Sequence, residues 1–312
     1  MSEVIYLSDR RYPGPDSHAA SRDIQGLPTQ AELDSYPRMF TWGELKDIIV
    51  SGQLEGLMRN KQMQAKYNEW IKGIKLEYGS TENYLKRGRL PFPDTSSPPI
   101  NGQSKSREHV QTQHEYLTYD SEKGLDTEKY AVLPNDWPYN IPYGVRHFCV
   151  WSKLPIGHPS LVDNDSKAWA KIEEEGLGGF TGIIPVSAPE RPVLDPSCIS
   201  SLPQTNGKPI IPPDWGSMTL DSFGQDNWLS VDLMYGGKEN KKWAGVEYTA
   251  KGGEEVDKMV KALWDQRGWE CLWFVNPPRL QSVPGLSHFH VLARRKTPEE
   301  IDASELFWGS DK

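Results

Sequence analysis

Two histidines that alternate along one predicted strand are the residues of this sequence best placed to do chemistry. Residues 271–294 are predicted to form a buried strand, a proline-rich loop that opens at Asn276, and a second strand that carries His288 and His290. Because successive side chains of a strand point to opposite faces, both imidazoles project from the same face. Imidazole titrates near neutral pH, so we predict that His288 and His290 are catalytic. Two partly buried histidines bonded to nearby carbonyls would give the same pattern.

The loop between these strands carries polar side chains that could bind a ligand. Binding groups concentrate on loops that rigid elements hold in place. Upstream, a strand is predicted over residues 147–152, with a carboxylate in the turn before it and a lysine at its end. The predicted ligand-binding residues are Asp136, Lys153, Asn276, Arg279, Gln281 and Ser282.

A third histidine offers a different chemistry. If the strand over residues 147–152 pairs near the second strand, His147, His288 and His290 could coordinate a divalent transition metal. Asp136 could then be a fourth ligand, or it could accept a hydrogen bond from an imidazole that binds the metal. Three neutral imidazoles with an open position form a known catalytic zinc pattern. Alternating histidines serve phosphate sites equally well, so the spacing leaves both chemistries open. No other cofactor is implied.

Composition and charge exclude several classes of function. The 312-residue chain is only 37% hydrophobic, but its 12 Trp and 13 Tyr can build a core from few, bulky residues. A formal charge of −8 gives no general attraction to nucleic acids or anionic membranes. The three cysteines lack a CxxC pattern, which argues against a disulfide framework or zinc finger. No apolar run is long enough for a membrane span or signal peptide, so we expect a soluble protein of the cytosol or nucleus.

Common enzyme motifs are absent from the sequence. It contains no Walker A loop, GxGxxG, GxSxG or HExxH. The frequent kinase, dehydrogenase, α/β-hydrolase and zinc-protease families are therefore disfavoured.

The chain is predicted to form one α+β domain after an N-terminal arm. Residues 1–36 show no periodicity, which predicts a mobile arm. The domain, residues 37–312, is divided into a helical part (40–90), an insertion (91–127), a sheet part (130–295) and a C-terminal helix (298–307). A proline-rich segment over residues 184–226 is predicted to be a long excursion that could cover the site.

Local signals place the main elements. Thr41 and Glu44 form a capping box that begins a helix ending at Gly52, and a second helix over residues 60–78 ends at Gly79. Further helices are predicted over residues 81–86, 163–175 and 254–267. Further strands are predicted over residues 227–235 and 243–249.

Four blocks of sequence carry a resemblance to a known family. They are FTWGELKDIIVSGQLEGLMRN, KYNEWIKGIKLEYGSTENYL, LPNDWPY followed by HFCVWSKLPI, and FVNPPRLQSVPGLSHFHVLAR. These blocks, which lie within residues 40–294, resemble the N-acetylglucosamine-induced protein 1 family of fungi, also described as domain of unknown function 3605. The resemblance implies family membership and no particular reaction.

The order of elements in the C-terminal half is similar to the histidine-triad (HIT) superfamily of nucleotide hydrolases and transferases. The similar features are Asp136-Trp137-Pro138 before HFCVWSK, Asn276 at a strand end, the Gln281-Ser282 pair, and His288-Phe289-His290. The resemblance implies a HIT-like antiparallel sheet with packed helices and, by analogy, a homodimer.

The HIT resemblance also implies roles for individual residues. His288 would attack phosphorus, His290 would support it, Asp136 would contact a ribose, and Asn276 with Ser282 would contact phosphate. The sequence departs from the triad at Leu286, where the first histidine falls. This departure matters because a histidine nucleophile needs its other nitrogen oriented by a partner.

The sequence thus predicts a phosphate- or nucleotide-directed enzyme, a HIT-like hydrolase or transferase whose substrate is a nucleotide or nucleotide-sugar. Its partner would be a small phosphorylated or sugar-type ligand. The alternatives are a metal-dependent enzyme that uses His147, His288 and His290, and a non-catalytic regulatory protein that binds a sugar or nucleotide-sugar.

Overall fold

A computed structural model describes residues 26–92, 115–184, 243 and 245–308, without the side chains of residues 307 and 308. Its helices are α1 (Gln30–Ser35), α2 (Trp42–Ser51), α3 (Lys61–Tyr78), α4 (Thr81–Tyr84), α5 (Ser166–Glu175), α6 (Glu254–Leu263) and α7 (Pro298–Trp308). Its strands are β1 (Tyr130–Pro134), β2 (Val145–Ser152), β3 (Leu177–Thr181), β4 (Tyr248–Thr249), β5 (Trp269–Val275) and β6 (Ser287–Arg295). These elements confirm the predicted α+β class.

The six strands form one antiparallel sheet in the order β1-β2-β6-β5-β3-β4. Strand β6 lies between β2 and β5, and its register places His290 opposite Cys149 on one side and Phe274 on the other. His288 lies opposite Trp151. The histidines therefore lie on a central strand, where both neighbours fix the side-chain positions.

Helices cover both faces of the sheet, which is why its central strands are apolar on both sides. One face packs against the apolar stripe of α6, which consists of Val256, Met259 and Val260, and against Trp264 just after the helix. The histidine-bearing face packs against α2 at one end, and against α3 and α4 at the other. None of the helices in the described part of the chain has the length and apolar character needed to cross a bilayer.

The ends of α2 and α3 confirm the predicted caps. The Thr41 hydroxyl accepts a hydrogen bond from the Glu44 amide at 3.2 Å, and the Glu44 carboxylate accepts one from the Thr41 amide at 2.7 Å. Asn60 caps the start of α3. The left-handed conformations at Gly52 (φ 69°) and Gly79 (φ 79°) end the two helices.

Strands β1 and β3 were not predicted, and β3 shows why. Its sequence LGGFT places two glycines where a strand usually has bulky residues. A Cβ on Gly178 would lie 2.6 Å from the Ile49 side chain of α2, and one on Gly179 would lie 2.6 Å from the Trp273 ring. The glycines allow α2 and Trp273 to approach the strand backbone, a requirement that only the folded structure reveals.

Several predicted boundaries were wrong. The predicted arm contains α1, after which Tyr36 is buried. Helix α6 ends at Leu263 instead of residue 267, because the Asp265 side chain accepts a hydrogen bond from the Arg267 amide at 2.9 Å and forms a turn. The predicted strand over residues 243–249 is reduced to β4.

Other predictions fall on residues that the structure does not describe. They include the strand over residues 227–235, residues 1–25 of the arm, residues 93–114 of the insertion and the excursion from residue 185 onward.

A buried ionic cluster fixes α2 to the sheet. The Glu270 carboxylate, on β5, lies 2.7 Å from the Lys46 ammonium of α2 and accepts a hydrogen bond from the Trp42 indole at 2.9 Å. The Arg294 guanidinium of β6 donates to the same carboxylate at 2.7 Å. Burial alone would raise the pKa of Glu270, but the charges of Arg294 and Lys46 outweigh it and lower the pKa to about 2.

We expect Glu270→Gln to lower the free energy of unfolding by about 3–5 kcal/mol, because buried Lys46 loses its ion-pair partner and buried Arg294 keeps only Glu300. Urea denaturation followed by tryptophan fluorescence would measure the change. The matched control is Glu173→Gln on the exposed side of α5, which should change the free energy by less than about 0.5 kcal/mol. Equal effects of the two substitutions would contradict this role of the cluster.

The same carboxylate should make stability depend on acid pH. Because the pKa of Glu270 is lower in the folded than in the unfolded state, its contribution is present above the ordinary value of 4.5 and is lost as the pH falls from there toward about 2. The stability difference between the wild type and Glu270→Gln, measured at several pH values, should therefore shrink across this range. A difference that stays constant would show that Glu270 is not the titrating group.

Candidate functional site

A cavity of about 300 Å³ lies over the histidine-bearing face of the sheet. It is bounded by α3 and α4, by the end of β1 and the turn after it, and by β2, β6 and the loop after β5. Aromatic side chains form much of its wall, and they are Tyr67, Trp70, Tyr84, Trp137, Tyr139 and Trp151. Such a wall is typical of pockets that bind small molecules through ring contacts and a few polar groups.

Five of the eight predicted catalytic and ligand-binding residues line this cavity. They are Asp136, Asn276, Ser282, His288 and His290. The register of β6 supplies the histidines, and the loops after β1 and β5 supply the other three.

The other three predicted ligand-binding residues are not in the lining. Exposed Lys153 places its ammonium 4.8 Å from the centre of the Phe92 ring. Arg279 pairs with Glu55 at 3.0 Å. The Gln281 side chain donates to the Asn276 carbonyl at 2.9 Å, so it shapes the loop that positions Asn276.

The turn after β1 is held by its own asparagines. The Asn135 side-chain oxygen accepts a hydrogen bond from the Trp137 amide at 2.9 Å, which is the turn chemistry predicted for this stretch. Asn140 is almost fully buried, and its amide group donates to the Pro37 carbonyl at 2.7 Å. Two rigid attachments therefore position the cavity wall that this turn forms.

His288 is oriented by a backbone carbonyl. Its Nδ1 lies 2.8 Å from the Leu286 carbonyl oxygen, and its ring stacks on Trp151 with 4.4 Å between centroids. A carbonyl can only accept, so Nδ1 carries the proton and Nε2 carries the lone pair. Among the described residues Nε2 has no hydrogen-bond partner. Burial lowers the pKa of His288, which favours this neutral form.

The Leu286 carbonyl also bears on the absence of the first histidine of the triad, whose place Leu286 occupies. The sequence lacks a histidine at this position, but the group that holds His288 belongs to the backbone, which any residue provides. The orienting partner of a histidine nucleophile is therefore present. Reasoning from side chains alone could not detect it.

His147 and His290 form a directed hydrogen-bond chain. The Tyr139 amide donates to His147 Nδ1 at 3.2 Å, so the neutral His147 ring carries its proton on Nε2. That nitrogen lies 2.9 Å from His290 Nδ1, which must accept. His290 therefore carries its proton on Nε2, 3.3 Å from the side-chain amide of Asn276. The Asn276 oxygen must face His290, since two donors cannot bond to each other.

Burial keeps both of these histidines neutral. Burial, together with the charge of Arg59, lowers the pKa of His147 to about 3. Burial also holds the pKa of His290 well below its ordinary value. With both nitrogens of His147 and of His290 engaged by the protein, neither ring offers a free lone pair to a ligand.

A group of two histidines and one cysteine could hold a metal ion, and it contains a cysteine where three histidines were predicted. One donor atom from each of His147, Cys149 and His290 lies within 4.8 Å of the others. Cys149 replaces His288 because the β2–β6 register places Cys149 opposite His290. The sequence signal is the spacing of two between His147 and Cys149, but a cysteine within an apolar run is usually a small core residue.

The hydrogen bonds of this group suit neutral histidines better than a metal. A metal-bound imidazole usually donates its other N–H to an acceptor. Asn276 could serve as that acceptor for His290. His147, however, would have to place a proton on Nδ1, where it faces the Tyr139 amide donor at 3.2 Å. In the metal-free protein, burial raises the pKa of the Cys149 thiol to about 12.

Three charged side chains line the cavity: Arg59, Arg89 and Asp136. The Asp136 carboxylate accepts hydrogen bonds from the Tyr84 hydroxyl at 2.8 Å and from Arg89 Nε at 3.1 Å. Its charge is therefore balanced by Arg89. A ribose that contacts Asp136, as predicted, would have to bind a carboxylate that already accepts hydrogen bonds from Tyr84 and Arg89. Arg59 was not predicted, because nothing in its local sequence separates it from other arginines.

Residues 41–174 and 228–294 match a family described as "Protein of unknown function (DUF3605)". The chain belongs to this family. The matched ranges contain all the polar residues of the cavity discussed above. The predicted family resemblance is therefore confirmed.

Two fungal relatives match part of this DUF3605 chain. "N-acetylglucosamine-induced protein 1" of Candida albicans is 33% identical over 129 residues, which cover 38% of this chain and 44% of the relative. "Uncharacterized protein YPL067C" of Saccharomyces cerevisiae is 32% identical over 120 residues, which cover 38% of this chain and 50% of the relative. The chain thus spans no more than about half the length of either relative.

One solved structure was also found. "Crystal Structure of HTC1" is 20% identical, with coverage of 87% of this chain and 96% of that chain, and its TM-score of 0.32 is too low to support an argument. None of these matches tests the HIT resemblance, which stays a prediction.

We expect histidine ¹H–¹⁵N spectra at pH 7 to show His147 and His290 neutral with the proton on Nε2, and His288 neutral with the proton on Nδ1. The backbone donor at Tyr139 and the backbone acceptor at Leu286 fix these forms. Single histidine-to-asparagine variants would assign the signals. A proton on His147 Nδ1, together with about one equivalent of a transition metal in untagged protein, would instead demonstrate a metal site.

Proposed function

We propose that this DUF3605 protein is a phosphate-directed enzyme whose cavity binds a small phosphorylated sugar or nucleotide, with His288 as the reacting group. The observation that carries the proposal is the state of His288. Its ring is held by the Leu286 carbonyl, and its Nε2 lone pair has no partner among the described residues. His288 also lines the cavity.

A neutral, oriented imidazole can act on phosphorus in two ways. As a nucleophile, Nε2 forms an N–P bond while the P–O bond to the leaving group breaks. The leaving oxygen keeps the electron pair and takes a proton from water, and a second water then cleaves the N–P bond. As a base, Nε2 removes a proton from the water or hydroxyl that attacks the phosphorus. In both cases the lone pair must be free, which is the feature that distinguishes His288 from His290.

The remaining lining supports a polar ligand that contains a ring. The aromatic lining, which includes half-buried Trp70, can contact such a ring, while Asn276 and Ser282 offer hydrogen bonds. One relative bears the name "N-acetylglucosamine-induced protein 1", which links its expression to an amino sugar and supports a sugar among the candidate ligands.

The test compares turnover and binding in the wild type and in His288→Asn. Phosphate release from a panel of sugar phosphates, nucleotides and nucleotide-sugars would reveal a substrate. For that substrate, we expect His288→Asn to lower kcat by roughly 100-fold or more, because an acting imidazole contributes at least that much. Binding measured by calorimetry should change little, since asparagine retains a polar side chain of similar reach.

His158→Asn is the matched control, because His158 lies in the irregular segment before α5 and does not line the cavity. It should keep full turnover. Full turnover in His288→Asn would contradict the catalytic role. Binding without turnover in the wild type would indicate a non-catalytic sugar- or nucleotide-binding protein.

A metal-dependent enzyme is the second candidate, and the group of His147, Cys149 and His290 favours it. A divalent transition metal bound there would act as a Lewis acid on a phosphoryl or carbonyl oxygen. The hydrogen bond from Tyr139 to His147 opposes this candidate. The histidine spectra and elemental analysis described above distinguish the two.

A further inference from the structure

We propose that Arg59 forms a phosphate-binding subsite at one end of this cavity and that the ligand is the phosphate monoester of a single sugar. The inference rests on the proposed function for the location of the ligand, but it does not depend on any reaction of His288. Arg59 lies immediately before Asn60, the N-cap of α3, and it lines the cavity.

Arg59 is the one charge of the described cavity lining that no opposite charge balances. The other two charged residues of this lining, Arg89 and Asp136, pair with each other. Among the described residues, the hydrogen-bond acceptors of the Arg59 guanidinium are the Trp137 carbonyl and the Gln64 amide oxygen, both neutral. Its other contacts are with the neutral rings of Tyr67 and Tyr139. A partly buried cation without a carboxylate is costly unless an anion binds to it.

The guanidinium retains donors for that anion. It donates to the Trp137 carbonyl through Nε at 2.9 Å and Nη2 at 2.6 Å, and to Gln64 through Nη1 at 3.3 Å. Since a guanidinium has five N–H groups, two remain without a partner among the described residues. Its central carbon lies 4.3 Å from the centre of the Tyr67 ring, which fixes the plane of the group. A planar arginine held in this way is suited to bidentate contact with phosphate.

The other donors of the lining favour phosphate over a carboxylate. Ser282 can donate, and so can the NH₂ group of Asn276, because the Asn276 oxygen is directed toward His290. The Asn276 side chain also hydrogen-bonds Tyr139. A phosphate offers three oxygens to these donors where a carboxylate offers two.

The size of the cavity limits the rest of the ligand. A volume of about 300 Å³ is at the small end of ligand pockets, which run from about 300 to 1,000 Å³. One sugar ring with its phosphate is a small ligand, whereas a nucleotide-sugar adds a base, a ribose and a second phosphate. The aromatic wall suits the apolar face of one ring. We therefore favour a monosaccharide phosphate within the broader class proposed above.

Calorimetry with the full chain would test this subsite. The probes are N-acetylglucosamine 6-phosphate, glucose 6-phosphate, inorganic phosphate, neutral N-acetylglucosamine, glucuronate and UDP-N-acetylglucosamine. We expect a sugar phosphate to bind most tightly, with an affinity that falls as salt increases. Arg59→Met should weaken that binding roughly 10- to 100-fold, the range for charge-assisted hydrogen bonds.

Arg87→Met is the matched control, because Arg87 is exposed and does not line the cavity. It should leave the Kd unchanged. If Arg59→Met does not fold, Arg59→Lys keeps the charge but loses the planar fork, and it should still weaken binding by several-fold. Equal affinity for the neutral sugar, tighter binding of glucuronate or of the nucleotide-sugar, no binding of any sugar phosphate, or unchanged affinity in both Arg59 variants would each overturn the inference.

The outcomes separate this inference from the proposed function. Arg59-dependent binding of a sugar phosphate that is never converted would sustain the subsite and defeat the enzyme proposal. Turnover that requires His288, with a KM that Arg59→Met leaves unchanged, would sustain the enzyme and defeat the subsite.

Discussion

The buried contact between Glu270 and its two cations is the interaction on which the histidine-bearing face depends. It joins β5, β6 and α2 at one end of that face. From α2 the chain passes through the buried Leu54 and Leu57 before it reaches Arg59 and the start of α3. The position of α2 therefore determines where the first wall of the cavity begins. Glu270 tolerates few alternative positions, because moving it away would leave its own charge and the Lys46 ammonium buried without an ion-pair partner.

The register of β6 between β2 and β5 is a second constraint, because it places the imidazoles of His147 and His290 in the apolar interior. His290 packs between Cys149 and Phe274, and its ring stacks on Phe274 with 4.8 Å between centroids. Burying imidazoles there is tolerated because each ring nitrogen of His147 and His290 has a hydrogen-bond partner. The chain of donors begins at a backbone amide, which cannot reverse its direction. It therefore determines which way the Asn276 amide faces.

Local sequence signals predicted the parts of the fold that local chemistry determines. The capping residues of α2 and α3, the histidine strand and the α+β class all follow from side-chain type and spacing. Contacts between distant segments could not be predicted. Glycines in β3 make room for α2, Cys149 joins the histidines through strand register, and the charge of Arg59 stands out only once Arg89 is seen to bind Asp136. The carbonyl of Leu286 that holds His288 could not be predicted either, because a backbone carbonyl has no signature in residue type.

The two alternating histidines share a face of one strand, yet their surroundings give them different capacities. His290 has both nitrogens bonded to the protein, so its chemistry is limited to orienting Asn276. His288 is held through one nitrogen by a carbonyl two residues away, and its stacking on Trp151 fixes the ring plane without using the second nitrogen. The proposed reaction is therefore assigned to His288 and not to His290. Both residues are histidines on the same face of one strand, and only their hydrogen-bond partners distinguish the imidazole with an unpaired nitrogen from the one that orients Asn276.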